Sequence, residues 1–127
     1  MRRTQRVDNA RRREIVGAFI AASRGGDFSA LLSLLAPDVV FTPDETATRL
    51  GQQGEARGAA AVAALFNGRA QAARPALIDG TVDIAVVPGE RLLLVLRLRI
   101  VDGRITGIDA VADPEQLAEL DLEILEG

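Results

Sequence analysis

The strongest constraint on what this chain can fold into is a pair of apolar runs on either side of Asp102-Gly103, in the stretch RLLLVLRLRIVDGRITGIDAV at residues 91–111. Asp-Gly between two strand-like runs favours a two-residue hairpin turn, because both central positions take positive φ. The first run alternates, with Leu94, Leu96, Leu98 and Ile100 on one face and Val95, Arg97, Arg99 and Val101 on the other. A period of two predicts a long antiparallel strand.

Pairing across the turn sets Ile100 opposite Ile105. Continued without a break, it sets Leu98 opposite Gly107 and Leu96 opposite Asp109. Ile105 and Ile108 are both apolar but lie three residues apart, which a period of two cannot place on one face. One extra residue at Thr106-Gly107 removes the conflict, so a β-bulge is expected there. With the bulge, Ile108 joins the leucine face and Asp109 turns away. Without it, Asp109 is a carboxylate inside an apolar layer and a functional clue.

The 127 residues suit one domain, and 48% hydrophobic with 26% charged residues is an ordinary globular composition. No apolar run reaches about 18 residues, so no membrane association is expected. The arginine-rich start leads into a helically spaced segment and not into the apolar core of a signal peptide. The chain has no Cys, His, Trp or Tyr, and all 15 basic residues are Arg. Disulfides, thiolate nucleophiles and imidazole-held metals are therefore excluded, and neither a metal nor a cofactor is expected. The lack of cysteine agrees with a cytoplasmic location. Charge is uneven: residues 1–13 carry six Arg against Asp8, whereas residues 113–127 carry six acidic residues and no basic one. The basic arm lacks the aromatic residues that stack on nucleic-acid bases.

In chain order, Asp8 is placed to cap a helix running to about Ser23, with Ile15, Val16, Phe19, Ile20 and Ala22 as its apolar stripe. Asp27 caps a second helix over residues 28–35, Pro37 stops it, and Val39 to Thr42 read as a short strand. Residues 43–58 form a polar, aperiodic loop, longer than usual and therefore a place for function. A third helix is expected over residues 59–73, with Gly68 weakening it and Pro75 marking its end. Strands follow at residues 76–78 and 82–87, with turns at Asp79-Gly80 and Pro88-Gly89-Glu90. Asp113-Pro114 opens a last acidic helical segment containing Leu117, Leu120, Leu122 and Leu125. Three N-terminal helices packed on a curved antiparallel sheet make an α+β fold.

Several of these residues resemble a known family. Gly26-Asp27, Leu-Leu-Ala-Pro-Asp-Val-Val at 34–40, Gly58 and Asp-Gly-Arg-Ile at 102–105 resemble a SnoaL-like domain of the nuclear transport factor 2-like superfamily. That resemblance implies a cone-shaped fold, a curved sheet wrapped around helices, often enclosing a pocket. More narrowly, Arg-Pro-Ala-Leu-Ile-Asp-Gly at 74–80 and Ile-Asp-Ala-Val-Ala-Asp-Pro-Glu-Gln-Leu at 108–117 resemble the C-terminal extension of extracytoplasmic function RNA polymerase sigma factors. In that setting residues 1–10 are a basic linker remnant, 11–120 the SnoaL-like domain and 121–127 an acidic C-terminal tail. The resemblance implies a non-catalytic regulatory domain. Its partners would be sigma-factor domains and the RNA polymerase core in a longer polypeptide, with DNA reached only through upstream domains.

Two signatures of that subgroup carry over. An Asn-Pro-Asp-Lys-Leu type motif falls on Asp113-Pro114-Glu115-Gln116-Leu117, keeping Pro114, Leu117 and an acid but losing the basic residue. A glycine-rich Asp-Gly-Gly-Gly-Lys type segment falls at residues 43–47, where only the acid survives, as Asp44 or Glu45. The regulatory contact candidates are therefore Asp113, Pro114, Leu117, Asp44 and Glu45, although Asp113-Pro114 also fits a plain helix cap and Asp44 and Glu45 also fit solvated loop carboxylates. Arg97, Arg99 and Arg104 read as an exposed face of the sheet.

Enzymes of that fold isomerise, dehydrate or cyclise small molecules with His, Asp and Tyr in the pocket. Here only carboxylates are available, Asp109 or Asp44, with no second proton-transfer group of the usual kind. No catalytic residue is assigned and the chain is not expected to be an enzyme. The alternative reading is a stand-alone protein that binds a small apolar ligand, or a carboxylate-dependent isomerase or cyclase, with Asp109, Leu96, Leu98 and Phe66 lining its pocket. A homodimer formed through the sheets is compatible with either reading.

Overall fold

A computed structural model describes residues 2–50, 54–69 and 71–125, with side chains from Asn9 onward. The helices α1 (Arg2–Gly25) and α2 (Phe28–Leu34) lead into β1 (Leu35–Pro43), a short α3 (Glu45–Arg49), β2 (Ala56–Arg57) and α4 (Ala59–Phe66). Then come β3 (Ala73–Ile78), β4 (Thr81–Val86), β5 (Leu94–Val101), β6 (Arg104–Val111), α5 (Pro114–Ala118) and β7 (Leu122–Ile124). The strands form one curved, open sheet in the order β2-β1-β6-β5-β4-β3-β7. Every pairing is antiparallel except β1 with β6, which is parallel. The architecture is α+β.

The hairpin at Asp102-Gly103 forms with positive φ at both turn residues, 53° and 78°. Its register slips between Arg99 and Ile100: Ile100 faces Ile105, Arg99 faces Gly107, and Thr106 is the extra residue of a bulge. Leu98 therefore meets Ile108, and both Ile105 and Ile108 are fully buried. Asp109 sits opposite Arg97 and 3.9 Å from the Arg99 guanidinium. It is thus on the outer face of the sheet and, contrary to the expectation that it lines an interior pocket, is turned away by the bulge.

Other local expectations change because a competing preference wins. The first helix begins at Arg2, so Asp8 lies inside it and is not its cap. Asp27 does cap α2, its carboxylate accepting the Ala30 N–H at 3.1 Å. The helix after Gly58 stops at Phe66, because Asn67 is extended and Gly68 takes φ +77°, and Pro75 lies within β3 opposite Ile84. The long loop holds α3 and β2. The acidic C-terminal segment is a single turn of helix followed by β7, so residues 122–124, assigned to a tail, are a strand paired with Ala76–Ile78. The all-antiparallel sheet becomes a mixed one through β1 and β6.

The core has two layers. On the inner face, Val16, Phe19, Leu31 and Val62 from the helices pack on Ile84, Leu96, Leu98, Ile105 and Ile108. Burying one such side chain stabilises the fold by about 1.5–3 kcal/mol. Phe66 packs edge to face with Phe19 and Phe41, at centroid separations of 5.1 and 5.7 Å. On the outer face, Ala76, Ile78, Ala85 and Val95 are buried beneath Leu117, Leu120, Leu122 and Ile124.

A buried carboxylate joins helix to sheet. The β4–β5 ladder ends at Ile84 and Leu96. Beyond it Asp83, 2% exposed, accepts the Leu98 N–H at 2.9 Å and the Arg97 Nε–H at 3.0 Å, and it pairs with Arg12 of α1. Arg12 also donates to the carbonyls of Val82 and Leu98, at 2.9 and 2.8 Å. Arg12 and Asp83 thus satisfy the backbone groups that a longer ladder would have paired. One turn earlier, Asn9 donates to the Gly80 carbonyl and accepts the Val82 N–H. Burial pushes the Asp83 carboxyl up from its ordinary value against the pull of the Leu98 N–H, Arg12 and Arg97. Asp83→Ala leaves a buried guanidinium without its partner and is expected to lower the unfolding free energy by about 3–5 kcal/mol. Asp83→Asn, whose amide oxygen still accepts the Leu98 N–H, costs less. Urea denaturation of the two variants measures the order.

Candidate functional site

The parallel pairing of β1 with β6 delivers two carboxyl ends to one place, since Thr42 lies beside Asp109 and Pro43 beside Ala110. Asp44 follows directly, and its N–H donates to the Ala110 carbonyl at 2.8 Å. Its side chain then makes two kinds of contact. Oδ1 accepts the Ala47 N–H at 2.8 Å and caps α3. Oδ2 accepts the N–H groups of Ala112 and Asp113, at 2.9 and 3.1 Å. One carboxylate therefore clips the start of α3 to the junction between β6 and α5.

Above this clip lies a cleft of about 510 Å³ lined by Asp44, Glu45, Thr46, Arg49, Asp113, Pro114 and Gln116. Four of the five contact candidates, Asp44, Glu45, Asp113 and Pro114, are gathered here, although the two segments lie far apart in sequence. Glu45 pairs with Arg49 at 2.9 Å, but both side chains are mostly exposed and such a pair contributes little. Pro114 occupies the first turn of α5, and Asp113 makes no side-chain cap bond. Leu117 is not on the rim; it is half-buried on the outer face of the sheet with Ala76 and Val95.

The interior candidates Leu96, Leu98 and Phe66 are 4%, 4% and 9% exposed and belong to the packed core. Of the two candidate bases, Asp109 is on the outer face and both oxygens of Asp44 are occupied by backbone donors. Arg97 is drawn onto Asp83, while Arg99 lies against Gly107, where an added Cβ would collide with its guanidinium. A second groove of about 560 Å³ runs between α1 and β3, past Gly17, Ala21, Arg24 and Arg74. Among the described residues, no group of three or more acidic side chains is arranged to hold a metal ion, and no helix is long and apolar enough to cross a membrane. Sequence reasoning missed Asp83, whose partners lie 14 to 71 residues away, and the backbone clip made by Asp44.

The helices on one face of this curved sheet define a nuclear transport factor 2-like fold. No protein-family model and no curated protein matches the sequence. Among solved structures, the extracytoplasmic function sigma factor SigJ of Mycobacterium tuberculosis aligns with a TM-score of 0.63 and 25% identity, covering 83% of this chain and 43% of that one. The chain thus spans less than half the length of that sigma factor. A protein of unknown function with this fold from Burkholderia xenovorans LB400 aligns with a TM-score of 0.58 and 18% identity, covering 84% and 87% of the two chains. A protein from Kribbella flavida DSM 17836, provisionally named a ketosteroid isomerase, aligns at 0.55 and 19%, covering 81% and 78%. At these last two identities the likeness is one of fold alone.

Burial pushes the Asp44 carboxyl up, but the N–H groups of Ala47, Ala112, Asp113 and Thr46 together outweigh it and hold the group below its ordinary value. A carboxylate with a depressed folded value contributes stability that is complete above the ordinary value of 3.8 and is lost as pH falls through the depressed one. The stability difference between wild type and Asp44→Asn is therefore expected to be constant near neutral pH and to shrink below the ordinary carboxylate value. Urea unfolding of both proteins across about pH 2 to 7 tests this. A difference independent of pH would remove the carboxylate from the account.

Proposed function

We propose that this chain is the regulatory domain of an extracytoplasmic function sigma factor. It modulates transcription initiation through the Asp44–Asp113 cleft, which meets sigma domains or the RNA polymerase core within a longer polypeptide. The observation that carries this reading is the convergence of the two signature segments, residues 43–47 and 113–117, on one exposed cleft. The structural likeness to SigJ over 83% of the chain supports it independently of those motifs. In this role DNA is reached through upstream domains, the partner is protein, and the location is the cytoplasm.

The role is non-catalytic. General-base chemistry near neutral pH calls for a carboxyl raised toward the working pH and facing its substrate. Asp44 is held below its ordinary value with both oxygens engaged, and Asp109 faces arginines on the outside of the sheet. The reading as a small-molecule-binding protein or isomerase has its support in fold neighbours such as the Kribbella flavida protein.

The test is initiation by core RNA polymerase with the native full-length polypeptide. The double variant Glu45→Lys/Gln116→Lys alters the cleft rim, and Glu45 is 85% exposed, so the fold is retained. A change in initiation of about fivefold or more, roughly 1 kcal/mol at the contact, is expected with an unchanged thermal midpoint. Equal transcription from a folded variant overturns the proposal.

A further inference from the structure

Residues 113–125 are held differently from the rest of the described chain. The α5 turn lies over the outer face of the sheet and β7 extends the sheet beyond β3 as its edge strand; none of residues 114–125 is fully buried, whereas Ala76, Ile78, Ala85 and Val95, against which Leu117, Leu120, Leu122 and Ile124 pack, are 0% exposed. The segment holds on by one turn of helix, three residue pairs between β7 and β3, a bond from Leu125 N–H to the Pro75 carbonyl, and a reciprocal pair in which Asp121 N–H donates to the Asp79 carboxylate and Asp79 N–H to the Asp121 carbonyl. An element with so few buried contacts opens at a lower free energy than the core it covers. Its origin, in contrast, is fixed: the N–H groups of Ala112 and Asp113 both bond to Oδ2 of Asp44, which lies 68 and 69 residues earlier in the chain.

We infer that residues 113–125 are a displaceable strap, α5 covering an apolar sheet face and β7 capping the β3 edge, and that the Asp44 carboxylate is its latch. The two oxygens of Asp44 divide the work: Oδ1 caps α3, and Oδ2 holds the strap. Whatever draws Oδ2 away from Ala112 and Asp113 loosens the strap at its root. By the reciprocity of linkage, displacing the strap alters binding at the cleft by the same factor. The cleft and the outer sheet face are thereby coupled surfaces. This inference stands on the hydrogen bonding alone and does not depend on which partner the cleft meets.

Asp44→Asn separates the two roles. Asn caps helices about as well as Asp, so an amide oxygen toward Ala47 preserves α3, while its NH2 group faces the Ala112 and Asp113 donors and cannot accept from them. Amide hydrogen exchange of the isolated 127-residue chain reads the result. In wild type the Asp121 and Leu125 amides are expected to exchange faster than the Leu98 amide, which is bonded to buried Asp83. In Asp44→Asn the strap amides are expected to accelerate by about tenfold or more while Leu98 and the β5–β6 ladder keep their rates. A disulfide between Ile78→Cys and Leu122→Cys, which are facing residues in a chain without other cysteines, should return the strap of Asp44→Asn to slow exchange. Strap amides as slow as Leu98 in wild type, or strap rates unaltered by Asp44→Asn, overturn the inference. Neither result bears on the transcription test, so the two failures are told apart.

Discussion

The parallel pairing of β1 with β6 is the constraint on which the functional geometry depends. In an antiparallel sheet, neighbouring strands present opposite ends, and residues following each strand part company. Here both strands run the same way, so Asp44 and Ala112 leave the sheet side by side. That is what allows a single carboxylate to serve as a helix cap and as an acceptor for two backbone donors from another part of the chain. A crossover of 60 residues separates the strands, and it holds α3, α4 and strands β2 to β5. The site is therefore a product of topology before it is a product of side-chain chemistry.

Helix α1 depends on a second polar arrangement. Apolar burial alone positions a helix loosely along a sheet, because leucines and isoleucines slide past one another at little cost. Arg12, reaching the gap where the β4–β5 ladder stops, meets two carbonyls and a carboxylate whose positions the strands fix. Such a buried group selects one register of helix against sheet, at the expense of desolvating two charges. Asn9 repeats the selection one turn away with neutral groups.

The parts of this structure legible in the sequence are those governed by local rules. Asp102-Gly103 and the spacing of Ile105 and Ile108 gave both the hairpin and its bulge, and Asp27 announced α2. The parts that were illegible depend on distant neighbours or on very short elements. Asp83 reads as an ordinary outward residue of an alternating strand, because nothing near it in sequence reveals Arg12. The five residues of α3 are too few to show a helical period, although Asp44 and Glu45 are sound opening residues. The C-terminal leucines were read with one period where two apply: Leu117 and Leu120 are three apart, as on a helix, and Leu122 and Ile124 are two apart, as on a strand. Of the candidate contact residues, Asp44, Glu45, Asp113 and Pro114 meet at one cleft, a convergence that only the β1–β6 pairing reveals, while Leu117 joins the packing on the outer sheet face.

The bulge at Thr106 has a consequence for how such chains diverge. It sets the parity of everything that follows it in β6. The same residues paired straight through, with Thr106 taken into the ladder opposite Arg99, would bring Gly107 opposite Leu98 and Asp109 opposite Leu96, carrying a carboxylate into the apolar interior between helices and sheet. Ile108 would move outward in exchange. Whether one residue bulges or pairs is thus the whole distance between a domain with an aliphatic interior and one with an acid buried at its centre, the raw material of proton-transfer chemistry. In this fold the chemistry of the interior is set by strand register as much as by the identity of the residues.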